Sequence, residues 1–128
     1  MKKTNLKSER TSLRDLDELV RLSNLYDFYG PLLKERHRAM FEEYVLDDYS
    51  LSEIAGKYEI TRQGVYDVIK RCSNKLEKYE EDMQLFAKFQ EAKDRLEKIQ
   101  SVVETDISMS DEDRTTILRM TDEILDSF

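Results

Sequence analysis

The chain has one cysteine, one histidine, one proline and three glycines in 128 residues, and each scarcity excludes something. Cys72 has no partner for an intrachain disulfide, and its place on an apolar helical stripe assigns it to the core. His37 has no second histidine or cysteine near it in sequence and no placed serine or cysteine nucleophile. It offers neither a metal cluster nor a catalytic triad, and is read as structural or solvated. No run of about 18 apolar residues is present to span a bilayer. The opening Met1-Lys2-Lys3-Thr4-Asn5-Leu6-Lys7 carries no apolar stretch behind its charges, so neither a membrane span nor a secretory signal is expected, and the expected address is cytoplasmic. Gly-rich phosphate loops and nucleophile-base pairs are also missing, and the carboxylates lie on solvated helical faces. The expectation is a non-enzymatic protein without a cofactor or metal.

What remains is helix-forming. Hydrophobic residues make up 39% of the chain, enough for one core. Leu, Glu, Lys, Arg and Asp recur on helical periods with few breakers, so the fold class is all-α with short connections.

The organising stretch runs from Ser50 to Leu76. Ser50 with Glu53 three residues on has the spacing of a capping box, and Leu51, Ile54, Ala55 and Tyr58 give the helix that follows one apolar face. Thr61 can cap the next helix, in which Val65, Val68, Ile69, Cys72 and Leu76 turn inward. Two short helices across a tight connection outline a helix-turn-helix, and the small Ala55 permits close approach at their crossing.

Before this motif, residues 1–12 are polar, with Lys2, Lys3, Lys7 and Arg10 against Glu9. They read as a mobile basic arm, either plainly disordered or touching phosphate. An apolar face over Leu13–Tyr29 marks a helix or two in tandem, stopped by Gly30 as a left-handed cap and by Pro31. Tyr26, Phe28 and Tyr29 are assigned to the core rather than to base stacking. A second helix runs within Leu32–Leu46 and ends at the acidic turn Asp47-Asp48-Tyr49.

Beyond the motif, Val65, Ile69, Cys72, Leu76, Tyr79, Met83 and Phe86 advance in alternating steps of four and three, a heptad seam on one long helix. The stripe resumes out of phase at Phe89, so a bend or break is expected between Phe86 and Phe89. Ser110 caps a last helix whose first turn is Asp111-Glu112-Asp113. The seam, with the habit of helix-turn-helix proteins of binding paired half-sites, points to a homodimer. The alternative is that it packs on the chain's own first helices.

The net charge of −7 opposes generic nucleic-acid affinity. Its distribution is uneven: residues 81–128 hold thirteen acids against six bases, whereas residues 50–80 sum to +1. The outward residues of the second motif helix are the candidate contacts. Arg62, Gln63 and Tyr66 sit where recognition helices present side chains to base edges, and Lys70, Arg71 and Lys75 are placed for phosphate. Asp67 would repel phosphate or select a cytosine amino group. Ordinary solvated surface is the competing reading of this face.

The blocks L-Y-D-F-Y-G-P-L-L (Leu25–Leu33), D-D-Y-S-L-S-E-I-A (Asp47–Ala55) and I-T-R-Q-G-V-Y-D-V-I-K-R (Ile60–Arg71) resemble the YlxM family. Its members are similar to the promoter-reading fourth region of bacterial sigma factors. The resemblance implies a small regulatory protein encoded beside the signal recognition particle (SRP) GTPase Ffh. Thr61, Arg62, Gln63, Tyr66, Asp67, Lys70 and Arg71 would lie on its recognition helix. The implied partners are DNA or SRP RNA, and Ffh, with no membrane. The expected organisation is the arm over 1–12, a helix-turn-helix domain over 13–80 and an acidic helical extension over 81–128 that packs on that domain or on a partner subunit. Two departures stand out. Gly64 replaces a common alanine, at a cost of up to about 1 kcal/mol, and Glu59 occupies a turn where glycine supplies positive φ, which predicts a different turn shape.

Overall fold

A computed structural model describes the backbone from Lys2 and the side chains of residues 16–128, and the side chains of the basic arm expected over residues 1–12 lie outside the described residues. The order is α1 (Lys2–Tyr29), a 3-10 turn (Gly30–Leu32), α2 (Glu35–Val45), α3 (Leu51–Tyr58), α4 (Arg62–Met83), α5 (Leu85–Thr105) and α6 (Asp111–Asp126), with no strand among the described residues. The chain forms two compact units, Met1–Gln84 and Leu85–Phe128.

In the first unit α4 is the central element, packed against α1, α2 and α3. Its inward stripe of Val65, Ile69, Cys72 and Leu76 is buried with Leu22, Leu25 and Tyr29 of α1, Met40 and Phe41 of α2, and Ile54 of α3. Each such aliphatic side chain contributes roughly 1.5 to 3 kcal/mol of gross transfer free energy. The heptad seam is therefore spent largely inside this unit: four of its residues are core, while Met83 is 39% exposed.

Polar clasps fix α1 on α4. Arg21 donates from Nε and from an Nη to the two carboxylate oxygens of Glu77, both at 2.8 Å, a fork that planar guanidinium geometry favours. Beneath it the Tyr29 hydroxyl donates to Glu80 at 2.6 Å, so a buried carboxylate is satisfied. Between α1 and α2, Arg38 donates to the Tyr26 hydroxyl at 2.8 Å, and Tyr26 in turn donates to Glu42.

The motif's caps form as its spacing predicts. Ser50 accepts from the Glu53 amide at 3.0 Å while Glu53 accepts from the Ser50 amide at 2.8 Å. Thr61 accepts from the Gly64 amide at 2.9 Å.

Three local expectations are corrected. Gly30 does not adopt a left-handed conformation, since no glycine has positive φ. It opens the 3-10 turn, and a Cβ there would meet the Tyr26 ring at 2.7 Å. Glycine is required for space. Conversely, Glu59 is left-handed, with φ 57 and ψ 44, so the turn takes the shape that glycine commonly provides. The Ile60 amide closes on the Ala55 carbonyl at 3.1 Å, and satisfying that carbonyl offsets the roughly 1 kcal/mol cost of a left-handed non-glycine residue. Lastly, the helix break comes at Gln84, with φ 55, ahead of the interval between Phe86 and Phe89. The Gln84 amide bonds back to Glu80 at 2.8 Å and ends α4 there.

The second unit is an antiparallel pair. Phe89 and Phe128 rings lie 4.9 Å apart, Gln100 donates to Thr121 at 2.7 Å and to Asp122 at 2.8 Å, and Val103 and Thr121 are buried. The Arg114 guanidinium closes the hairpin by donating to the carbonyls of Val103, Asp106 and Met109. In the connection Asp106 accepts from the Ser108 hydroxyl at 2.6 Å and amide at 2.8 Å. Those bonds hold its carboxyl below the usual range.

Candidate nucleic-acid interface

The connection at Glu59 to Thr61 turns the chain from α3 into α4, and the buried stripe of α4 forces its opposite side outward. Thr61, Arg62, Gln63, Tyr66, Asp67, Lys70 and Arg71 are exposed, and Lys75 is half-buried. All the predicted contact residues thus fall on one outward face. They do not form one contact. At 1.5 Å per residue, Arg62 and Lys75 are separated by about 20 Å along the axis, more than the roughly 12 Å width of a major groove.

The face divides in two. At the N-terminal tip, Gln63 donates to Asp67 at 2.9 Å, which engages the amide and gives the carboxylate a neutral partner. Arg62 extends beside them, and Tyr66 is 46% exposed. Tyr66 also borders a groove of about 300 Å³ lined by Leu19, Leu22, Tyr44, Leu51 and Ile69 among others. The second part is cationic. Lys70, Arg71, Asn74, Lys75 and Lys78 with Asp67 border a shallow depression of about 470 Å³. Lys78 is already paired, to Glu81 and Asp82, each at 3.3 Å. Lys70, Arg71 and Lys75 make no ion pair among the described residues.

One neighbour of this flank was not among the predicted contacts. The Cys72 thiol donates to the His37 carbonyl at 3.8 Å, which sets the start of α2 against the middle of α4. There the His37 imidazole is half-buried, and its pKa is held below the ordinary value by desolvation first and then by Arg71, Lys34, Lys75 and Arg36. The sequence signal was the local run Lys34, Arg36, His37, Arg38; nothing in the sequence shows which part of α4 it meets.

No group of three or more His, Cys, Asp or Glu among the described residues is arranged to hold a metal ion. At Gly64 a Cβ would stand 3.2 Å from the Thr61 hydroxyl that caps the helix, a tight contact with a side chain. No helix among the described residues is long and apolar enough to cross a membrane.

Comparison with known proteins covers most of the chain. A family model described as "Putative helix-turn-helix protein, YlxM / p13 like" matches residues 16–115, a span that contains both halves of the interface. The UPF0122 protein of Bacillus pumilus is 47% identical over 88 residues, covering 69% of this chain and 80% of that protein. The UPF0122 protein YlxM of Bacillus subtilis is 45% identical over 87 residues, covering 68% and 79%. A UPF0122 protein of Bacillus velezensis is 41% identical over 103 residues, covering 80% and 91%.

Proposed function

Because the chain belongs to the UPF0122 family of YlxM- and p13-like helix-turn-helix proteins, we propose that it binds nucleic acid through α4. The tip, Thr61, Arg62, Gln63, Tyr66 and Asp67, would read base edges, and Lys70, Arg71 and Lys75 would meet phosphates. The observation that carries this reading is the set of unpaired cations on the outward face of α4. In a chain where acids outnumber bases 28 to 21, Lys70, Arg71 and Lys75 take no carboxylate partner among the described residues. Such charges favour an external anion. Involvement in the SRP pathway, as a regulatory component, rests on the resemblance to the YlxM family alone.

Fluorescence anisotropy with duplex promoter DNA and with SRP RNA, at low and physiological salt, tests both levels. Salt-sensitive binding is expected, with a slope of log affinity against log salt of about −0.9 per phosphate contact on duplex DNA. Absence of binding to both probes rejects the proposal, and binding to DNA alone rejects the SRP assignment.

A second reading is favoured by one observation, the acidic surface of the second unit, where Asp111, Glu112 and Asp113 are all exposed at the start of α6. That unit would dock on a basic protein such as Ffh, charge complementarity speeding encounter more than setting affinity. Capture of Ffh at full strength by a chain ending at Gln84 rejects it. A homodimer would need more than the seam, four of whose residues the first unit's core consumes.

A further inference from the structure

The cationic flank of α4 continues onto a second element. Lys34 is the residue that precedes α2, and Arg36 and His37 lie in its first turn. The thiol-to-carbonyl contact between Cys72 and His37 holds that turn against α4 beside Arg71 and Lys75. Like Arg71 and Lys75, neither Lys34 nor Arg36 makes an ion pair among the described residues; Arg36 instead lies over the Tyr58 ring, 5.7 Å from its centroid. The groups that act on the imidazole come from both elements, Lys34 and Arg36 from α2 and Arg71 and Lys75 from α4. All four are cations. Glu35 shares the first turn of α2 with Arg36 and His37, and beside these four cations a half-buried imidazole is disfavoured as the imidazolium until an anion arrives.

We propose that Lys34, Arg36 and His37 join Arg71 and Lys75 in a phosphodiester-binding site beside the helix-turn-helix tip, and that occupation of this site takes up a proton on His37. The proposal rests on the nucleic-acid reading above and adds to it a contact outside the motif and a chemical control. The sign follows from linkage. A phosphate near the imidazole favours its charged form and raises its pKa in the complex, so binding strengthens as pH falls through the complexed value. The gain is complete below the lower, free value. The limit for one proton is about tenfold in affinity per pH unit.

The chain has a single histidine, so its ring C–H resonances are unambiguous, and their pH titration by NMR tests the site. It is recorded for the free protein, with duplex DNA and with tripolyphosphate. The expected result is a free midpoint below 6.5 that moves up with either polyanion. Anisotropy at constant ionic strength should then show DNA affinity rising as pH falls from neutrality in the native chain and losing that rise in His37→Gln. In a Lys34→Ala/Arg36→Ala double variant the salt slope should fall by about 0.9 per lost contact. Arg62→Ala/Gln63→Ala should weaken binding at every pH and keep the rise. DNA binding with an unmoved His37 midpoint and an unchanged slope in the double variant overturns the inference and leaves the helix-turn-helix reading standing. A midpoint raised by tripolyphosphate with no binding to DNA or to SRP RNA upholds the anion site and removes the nucleic-acid reading. A midpoint moved by neither polyanion overturns the site outright.

Discussion

Gly30 and Gly56 have the same side chain and opposite reasons for it. At Gly30 a methyl group would strike the Tyr26 ring, which cannot retreat because it stacks on Phe41 at 5.5 Å and is held by Arg38. Gly30→Ala should cost about 1 to 3 kcal/mol as overpacking. At Gly56, exposed on α3, nothing lies within 4 Å of a new Cβ, so Gly56→Ala should add about 0.5 to 1 kcal/mol by relieving helix entropy. Urea unfolding of the two variants checks both signs. Glu59 and Gly30 also mark where sequence reading stops at this scale. A residue's identity indicates which conformations are cheap, but Gly30 is dictated by a ring four residues back and Glu59 is left-handed where the next amide closes on the Ala55 carbonyl. His37 gives a pH prediction for the free protein. Its folded pKa is lowered from 6.5 and its unfolded value is ordinary, so it destabilises the fold as pH drops through that window and is silent above it. In His37→Gln the loss of stability between neutral pH and about pH 5 should be smaller, read as denaturation midpoints across the range.

Within elements the same sequence is far more legible. Caps at Ser50, Thr61 and Ser110 hold as spacing indicates, each accepting an amide from the first turn of its helix, and Ser50→Ala should cost about 1 kcal/mol. Apolar periodicity places Val65, Ile69, Cys72 and Leu76 correctly inside, because a stripe of that width has to be covered by something. Periodicity is silent on what covers it, and so the seam suggested a partner chain where α1, α2 and α3 supply the cover. Leu76 is 0% exposed in that seam, and Leu76→Ala should cost about 2 to 5 kcal/mol, depending on how far the cavity collapses. Thermal unfolding of the full chain measures it. The break at Gln84 escaped for a related reason. A phase shift in the stripe is visible only once the next helix is under way, whereas the chain turns before its new phase begins.

For the whole molecule, net charge and local charge pull against each other. At −7 the protein is repelled by a polyanion at long range, while the flank of α4 attracts it at contact. Separations beyond the Debye length, about 10 Å at 0.1 M salt, are screened. Stopped-flow measurements should therefore show association rates that change little with salt, and dissociation rates that rise steeply as phosphate contacts are lost. The candidate contact face was legible on α4 because helical phase determines it. Its continuation onto α2 was not, since Lys34 to His37 and Arg71 to Lys75 are far apart in the chain and meet only through packing. That packing encloses Cys72, the sole cysteine, which is 1% exposed and whose thiol is pushed up by burial. An alkylating reagent can reach the sulfur only when the packing around α4 opens, so its rate of modification keeps time for that opening. Every molecule thus carries a built-in clock for the loosening of its first unit.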